Sequence, residues 1–168
     1  MNNYNTFDSI IIPLIQETDT IRLGHNLARI LKCGDCITLS GEIGSGKTFL
    51  ARSIIRFLLK NDNLEVVSPT FTLVQIYEDR IPIAHFDFYR LSNPQDFFEL
   101  GFDEILSENI CIVEWPEAGK ELIPYDRICI QFERESIGIK ATISAKRWII
   151  EHLIYETNRT YKKTYQRI

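Results

Sequence analysis

The segment Leu39-Ser40-Gly41-Glu42-Ile43-Gly44-Ser45-Gly46-Lys47-Thr48 constrains this chain more than any other. It fits the G-x-x-x-x-G-K-[ST] pattern of a phosphate-binding loop, which needs a buried strand before it and a helix after it. Both neighbours are present. Cys36-Ile37-Thr38-Leu39 is a short apolar run suited to a buried strand, and Phe49 to Leu59 carries helical apolar spacing. A glycine-rich turn matching by accident is the competing reading, and the flanking elements weigh against it.

The residue types explain the chemistry. Gly41, Gly44 and Gly46 open backbone conformations closed to other residues, so successive amide N–H groups can point at one anion. The positive end of the following helix favours the same anion. In such a loop Lys47 faces the β- and γ-phosphates, and the Thr48 hydroxyl is one magnesium ligand.

With 168 residues, 45% of them hydrophobic, the chain has material for one full core, and a second domain is not expected. A formal net charge of −4 gives no global electrostatic reason to bind nucleic acid, so any RNA would be held mainly by a partner. Cys33 and Cys36 form one C-x-x-C without the second pair a zinc site requires; with Cys111 and Cys129 they read as reduced thiols. Neither a long apolar run nor a signal-peptide pattern is present, and the expectation is a cytoplasmic protein with no membrane contact.

Ser9 to Leu14 reads as a strand near a sheet edge, because Pro13 cannot donate to a ladder. Ile21, Leu23, Leu27, Ile30 and Leu31 line one face of a helix capped near Glu17 to Thr20. Val66 to Tyr77 reads as a strand interrupted at Ser68-Pro69-Thr70. That interruption is either a self-capped turn or a mobile loop whose hydroxyls sense a γ-phosphate. Ile81 to Arg90 alternates and places His85, Asp87 and Tyr89 on one face, as a site or as the solvated face of an antiparallel sheet. Beyond it, Ser92 to Asp96 starts a helix that Gly101 breaks. Ile110-Cys111-Ile112-Val113 implies a strand buried on both faces, with Glu114 at its carboxyl end, where ligands of such sheets gather. Arg127 to Phe132 and Ile137 to Ala145 read as an antiparallel hairpin. Residues 147–168, rich in Arg and Lys, read as a basic helix or a solvated tail outside a domain of residues 1–146.

Four motifs now stand in order: G-E-I-G-S-G-K-T, S-P-T-F-T-L-V, H-F-D-F-Y-R-L and V-E-W-P-E. Together they resemble the bacterial TsaE (YjeE) family, small ATPases required for N6-threonylcarbamoyladenosine in tRNA. The resemblance covers roughly residues 9 to 145. It implies an α/β fold, a single P-loop domain with a central mixed sheet, antiparallel edge strands and flanking helices. It implies ATP and Mg2+ as ligands, with Gly44, Ser45, Gly46, Lys47, Thr48 and Phe49 at the phosphate loop and Thr48 and Glu114 on the metal. Asp87 matches the family's other essential carboxylate, Trp115 falls beside the nucleotide, and Gln16 matches a segment that approaches the adenine. The implied partners are TsaD and TsaB, with tRNA reached through that complex.

One departure stands out. Family members often carry an arginine after a glycine near the final hairpin, whereas Gly138 is followed here by Ile139 and then Lys140. A one-residue displacement turns a strand side chain to the opposite face, which argues against Lys140 as the replacement.

The expected activity is Mg-dependent ATP hydrolysis with Lys47, Asp87 and Glu114 as its catalytic residues. Asp87 would orient the attacking water or complete the metal shell, and Arg90 is the arginine-finger candidate within the chain. A small-molecule kinase using the same loop is the runner-up. It needs an acceptor pocket and a basic lid, yet between Ser92 and Lys120 only Lys120 is basic. A nucleotide-dependent binding module with negligible turnover is the third reading.

Overall fold

The computed structural model describes residues 6–91, 96 and 100–161. The proposed helix start at 92–95 and the basic residues Lys162, Lys163 and Arg167 lie outside that set. In chain order come β1 (Phe7–Leu14), α1 (Glu17–Ala28), β2 (Cys36–Ser40), α2 (Lys47–Leu59), β3 (Val74–Tyr77) and β4 (Ile83–Asp87). Then follow α3 (Phe102–Glu108), β5 (Ile110–Glu114), a 3-10 turn (Pro116–Gly119), β6 (Ile128–Arg134), β7 (Ile139–Lys146) and α4 (Arg147–Tyr161).

The strands form one seven-stranded sheet in the order β1-β7-β6-β2-β5-β4-β3. Its centre is parallel, with β6 and β5 flanking β2, and β4 beside β5. Both margins are antiparallel: β7 and β1 on one side, β3 on the other. This is the mixed α/β sheet expected from the sequence, and β1, with Pro13, is an edge strand as the proline required.

Strand parity sorts the side chains between two cores. Ile37, Leu39, Ile83, Ile110 and Ile112 pack in the larger core with residues of α1, α2 and α4, such as Leu27, Ile54 and Leu153. Cys36, Ala84, Phe86, Cys111 and Val113 pack in the smaller core, with Phe102 of α3. Successive strand residues alternate faces, so His85, Asp87 and Glu114 point to the α2 side of the sheet. The hydrophobic pattern therefore decides where the polar residues go.

One sequence expectation changes, and one open alternative is decided. Only Val74–Tyr77 of the long run Val66 to Tyr77 pairs with β4. Before it the chain loops, with Leu73 N–H donating to the Pro69 carbonyl and Leu73 in the left-handed region at φ 66°. Pro69 cannot donate to a ladder, and the neighbouring hydroxyls find partners elsewhere. At the other end, 147–161 is a packed helix, not a solvated tail: Ile149, Ile150 and Leu153 are buried in the larger core. These residues share one helical face, and their burial outweighs the basic character of the segment. Among the described residues no helix is long and apolar enough to cross a membrane.

All four cysteines are free; Cys36 and Cys111 are buried neighbours in the β2–β5 register, and Cys33 is exposed. Burial pushes the Cys36 thiol well above its usual range and Cys111 up to about 12. In native protein at pH 8, a thiol reagent should therefore modify Cys33 quickly and spare Cys36 and Cys111, with all four reacting in denaturant. The unfolded chain ionises these thiols first, so their contribution to stability is complete below about pH 8.5 and falls as pH rises towards 12. Chemical denaturation between pH 8 and 10 measures that fall.

Candidate functional site

Between β2 and α2 the chain turns through Gly41 at φ 138°, Gly44 at φ 74° and Gly46 at φ 98°. All three lie in backbone regions that suit glycine. Gly41 also lacks room for a side chain, since an added Cβ would lie 2.7 Å from the Phe132 carbonyl oxygen. The loop thus ends on the N-terminus of α2, the helix end that favours an anion.

Lys47 opens that helix and is almost fully buried. Its Nζ donates to the carbonyls of Gly41 and Glu42, each at 2.8 Å, and lies 3.9 Å from the centroid of the Trp115 ring. Burial lowers its pKa, while Glu114, Asp87 and Glu117 oppose that shift. Next along the helix, the Thr48 hydroxyl donates to Glu114 Oε2 at 2.9 Å. The other oxygen, Oε1, meets His85 Nε2 at 2.9 Å in a contact closed to solvent. A carboxylate only accepts, so His85 Nε2 carries the hydrogen when Glu114 is ionised.

Asp87 sits beside Glu114 in the β4–β5 register, at the carboxyl ends of both strands. Its Oδ2 accepts from the hydroxyls of Ser68 and Thr70, the latter at 2.9 Å, and Oδ1 accepts from the Tyr89 backbone N–H at 2.9 Å. The hydroxyls around Pro69 thus converge on a site carboxylate, and His85 and Asp87 are buried, which removes the solvated-face reading of β4. Trp115 follows at φ 56°, with its ring 4.9 Å from that of Tyr89.

These groups surround a cleft of about 490 Å³, lined by Gly44, Gly46, Lys47, Thr48, Phe49, Asp87, Glu114 and Trp115 among others. That volume suits a small organic ligand. Ser45 lies buried within the loop, its hydroxyl without a hydrogen-bond partner among the described residues. Gln16 does not line the cleft; it precedes α1 as its N-cap, where Asp19 accepts its backbone N–H at 2.9 Å. Arg90 is also elsewhere, its guanidinium 4.4 Å from the centroid of the exposed Phe71 ring.

Two arginines at the site were not singled out in the sequence. Arg52 lines the cleft and donates through Nε to the Val66 carbonyl at 2.9 Å. Its position four residues after Thr48, on the same helical face, was the available signal. Arg134, at the end of β6, donates to the Gly44 carbonyl at 2.9 Å, a contact across 90 residues that no local pattern announces. Lys140 points away and pairs with Glu133.

The donor set fits a hard divalent cation. Thr48 and Glu114 offer adjacent oxygens, and magnesium uses one or two protein ligands with phosphates and waters. Among the described residues no cluster of three or more His, Cys, Asp or Glu is arranged to hold a metal by itself.

Known proteins share this arrangement of sequence and fold. The family model described as "Threonylcarbamoyl adenosine biosynthesis protein TsaE" matches residues 14–143. A tRNA threonylcarbamoyladenosine biosynthesis protein TsaE from Rickettsia conorii is 40% identical over 121 residues, 71% of this chain and 69% of the relative. The protein of that name from Streptomyces coelicolor is 39% identical over 116 residues, 67% of this chain and 77% of the relative. Among solved structures, the crystal structure of Bacillus subtilis YdiB superposes with a TM-score of 0.72 at 25% identity, covering 92% of this chain and 97% of that one.

Proposed function

The chain belongs to the TsaE family of threonylcarbamoyl adenosine biosynthesis proteins, and from that membership we propose a Mg-dependent ATPase that serves tRNA modification through the TsaD–TsaB pair. The convergence of Lys47, Thr48, Asp87 and Glu114 on one cleft at the start of α2 carries the reading. Such a role places the protein in the cytoplasm with its tRNA pathway.

In this reading the loop amides and Lys47 hold the phosphates of ATP. Lys47 exchanges the carbonyls of Gly41 and Glu42 for phosphate oxygens, so its charge is already in place before binding. Thr48 and Glu114 would hold magnesium, which would supply positive charge to offset that of the phosphates. His85 fixes one oxygen of Glu114 and leaves the other directed at Thr48. Asp87 orients the attacking water.

Asp87 Oδ2 is occupied by the Ser68 and Thr70 hydroxyls, while Oδ1, which takes the Tyr89 N–H, keeps a second lone pair for that water. The loop containing Pro69 is joined through these hydroxyls to a site carboxylate, which supports its reading as a switch. Arg90 stacks on Phe71 away from the cleft, and Arg52, in the lining, is held by Val66 through Nε; in this reading the isolated protein hydrolyses ATP slowly and a partner completes the site. Ile43, Phe71 and Tyr89 are exposed in and next to the cleft lining, at 70%, 82% and 53%, which supports a protein partner there.

The fate of the γ-phosphate tests this function. Incubation of the protein with γ-labelled MgATP and candidate metabolites should release label only as inorganic phosphate. Label recovered on an organic acceptor would overturn the reading in favour of a kinase.

A further inference from the structure

The two faces of the sheet are covered unequally. Helices α1, α2 and α4 pack on the larger core, whereas the smaller core on the other face contains no residue of β6 and ends at Ile123. Strand parity sends Thr38 and Ser40 of β2, and Cys129 and Gln131 of β6, to that second face. The parallel register sets Thr38 beside Cys129 and Ser40 beside Gln131. These four line a pocket of about 210 Å³, together with Ile123, Arg127 and the turn that carries Glu117 and Lys120. It lies across the sheet from the phosphate-loop cleft, because Leu39, the register partner of Glu114, points the other way.

Arg127 gives this pocket its chemistry. Its Nη1 donates to the Pro124 carbonyl at 2.8 Å, while Nε is buried with no hydrogen-bond partner among the described residues. A buried guanidinium N–H is costly to leave unpaired. The Nε and Nη2 donors form one edge of the fork, the kind of edge that takes two oxygens of a carboxylate or a phosphate side by side. Two cations, Arg127 and Lys120, stand in the lining against one carboxylate, Glu117, and the Thr38 and Ser40 hydroxyls add donors. We propose that this pocket binds a small metabolite through an oxyanion, carboxylate or phosphate, seated on the free edge of Arg127, with Lys120 supplying the second positive charge. The volume is below that of sites for drug-sized molecules, so the occupant has few atoms.

Nuclear magnetic resonance on the 15N-labelled full-length protein tests this, with sodium acetate and inorganic phosphate titrated separately at constant ionic strength. The Arg127 Nε–H and the Gln131 side-chain amide should shift together and saturate, with a Kd on the order of 1 mM for at least one anion. Whichever anion saturates them identifies the occupant as a carboxylate or a phosphate. Phosphate entering the phosphate loop is read separately, at the Gly44 and Gly46 amides. Arg127→Lys keeps the charge without the fork and, read at Gln131, should weaken binding at least about tenfold. Lys120→Ala, at an exposed position, should weaken it about threefold with the fold intact. No saturation by either anion up to about 50 mM, the result if buried water alone satisfies Nε, would overturn the site. Unchanged affinity in either variant would do the same.

Discussion

Lys47→Ala should lower the affinity for MgATP about 100-fold while leaving the fold intact. In the free protein the ammonium group is held by two loop carbonyls and the face of Trp115, so it is positioned before any phosphate arrives. A hydrogen bond to a charged group contributes about 1.5–3 kcal/mol, and a loss near 2.7 kcal/mol is about 100-fold in affinity. Stability should change by only about 1 kcal/mol, since the released carbonyls belong to a loop that can be hydrated. Calorimetric titration paired with thermal unfolding checks both halves. Affinity within threefold of the parent would remove the lysine from the phosphate site.

Glu114→Gln and Asp87→Asn should each lower ATP hydrolysis about 10²- to 10³-fold without unfolding the protein, a loss comparable to removing one preorganised electrostatic contact. The amide in Glu114→Gln can accept from His85 through its oxygen and donate to the Thr48 hydroxyl through its nitrogen, so the buried pairings survive. The charge that would hold magnesium does not. In Asp87→Asn, Ser68 and Thr70 can turn their hydroxyls to accept, and the loop stays anchored, but the acceptor for a water proton is lost. The two losses should combine less than additively, because in the proposed mechanism both groups act on one phosphoryl transfer. Phosphate release under saturating MgATP measures this. Turnover within threefold of the parent in both variants would leave the carboxylates with a structural role only.

Much of this was legible in the sequence, because the decisive signals are local. The phosphate loop, the buried run before Glu114 and the alternation around Asp87 each occupy one short segment, and parity then puts Asp87 and Glu114 on the α2 side. The departures depend on distant partners. That Val66 to Leu73 leaves the sheet follows from Asp87 attracting Ser68 and Thr70, 19 and 17 residues earlier. Burial of the helix after Lys146 depends on the face that β1 and β7 offer it, and a basic composition obscured that face. Arg134 meets Gly44 only because β6 lies beside β2, a neighbour relation fixed by the whole sheet order. Gln16 shows the reverse case: its family position points to the nucleotide, while its local position makes it the cap of α1, outside the cleft lining.

Phosphate release from MgATP by the purified protein, alone and with purified TsaD and TsaB, tests the central claim most directly. The account predicts slow release alone and stimulation of at least about tenfold by the pair, as expected when partners complete an electrostatic site. That stimulation should disappear in Lys47→Ala. Rapid release by the protein alone that the pair does not change, or stimulation that persists in Lys47→Ala, would contradict it.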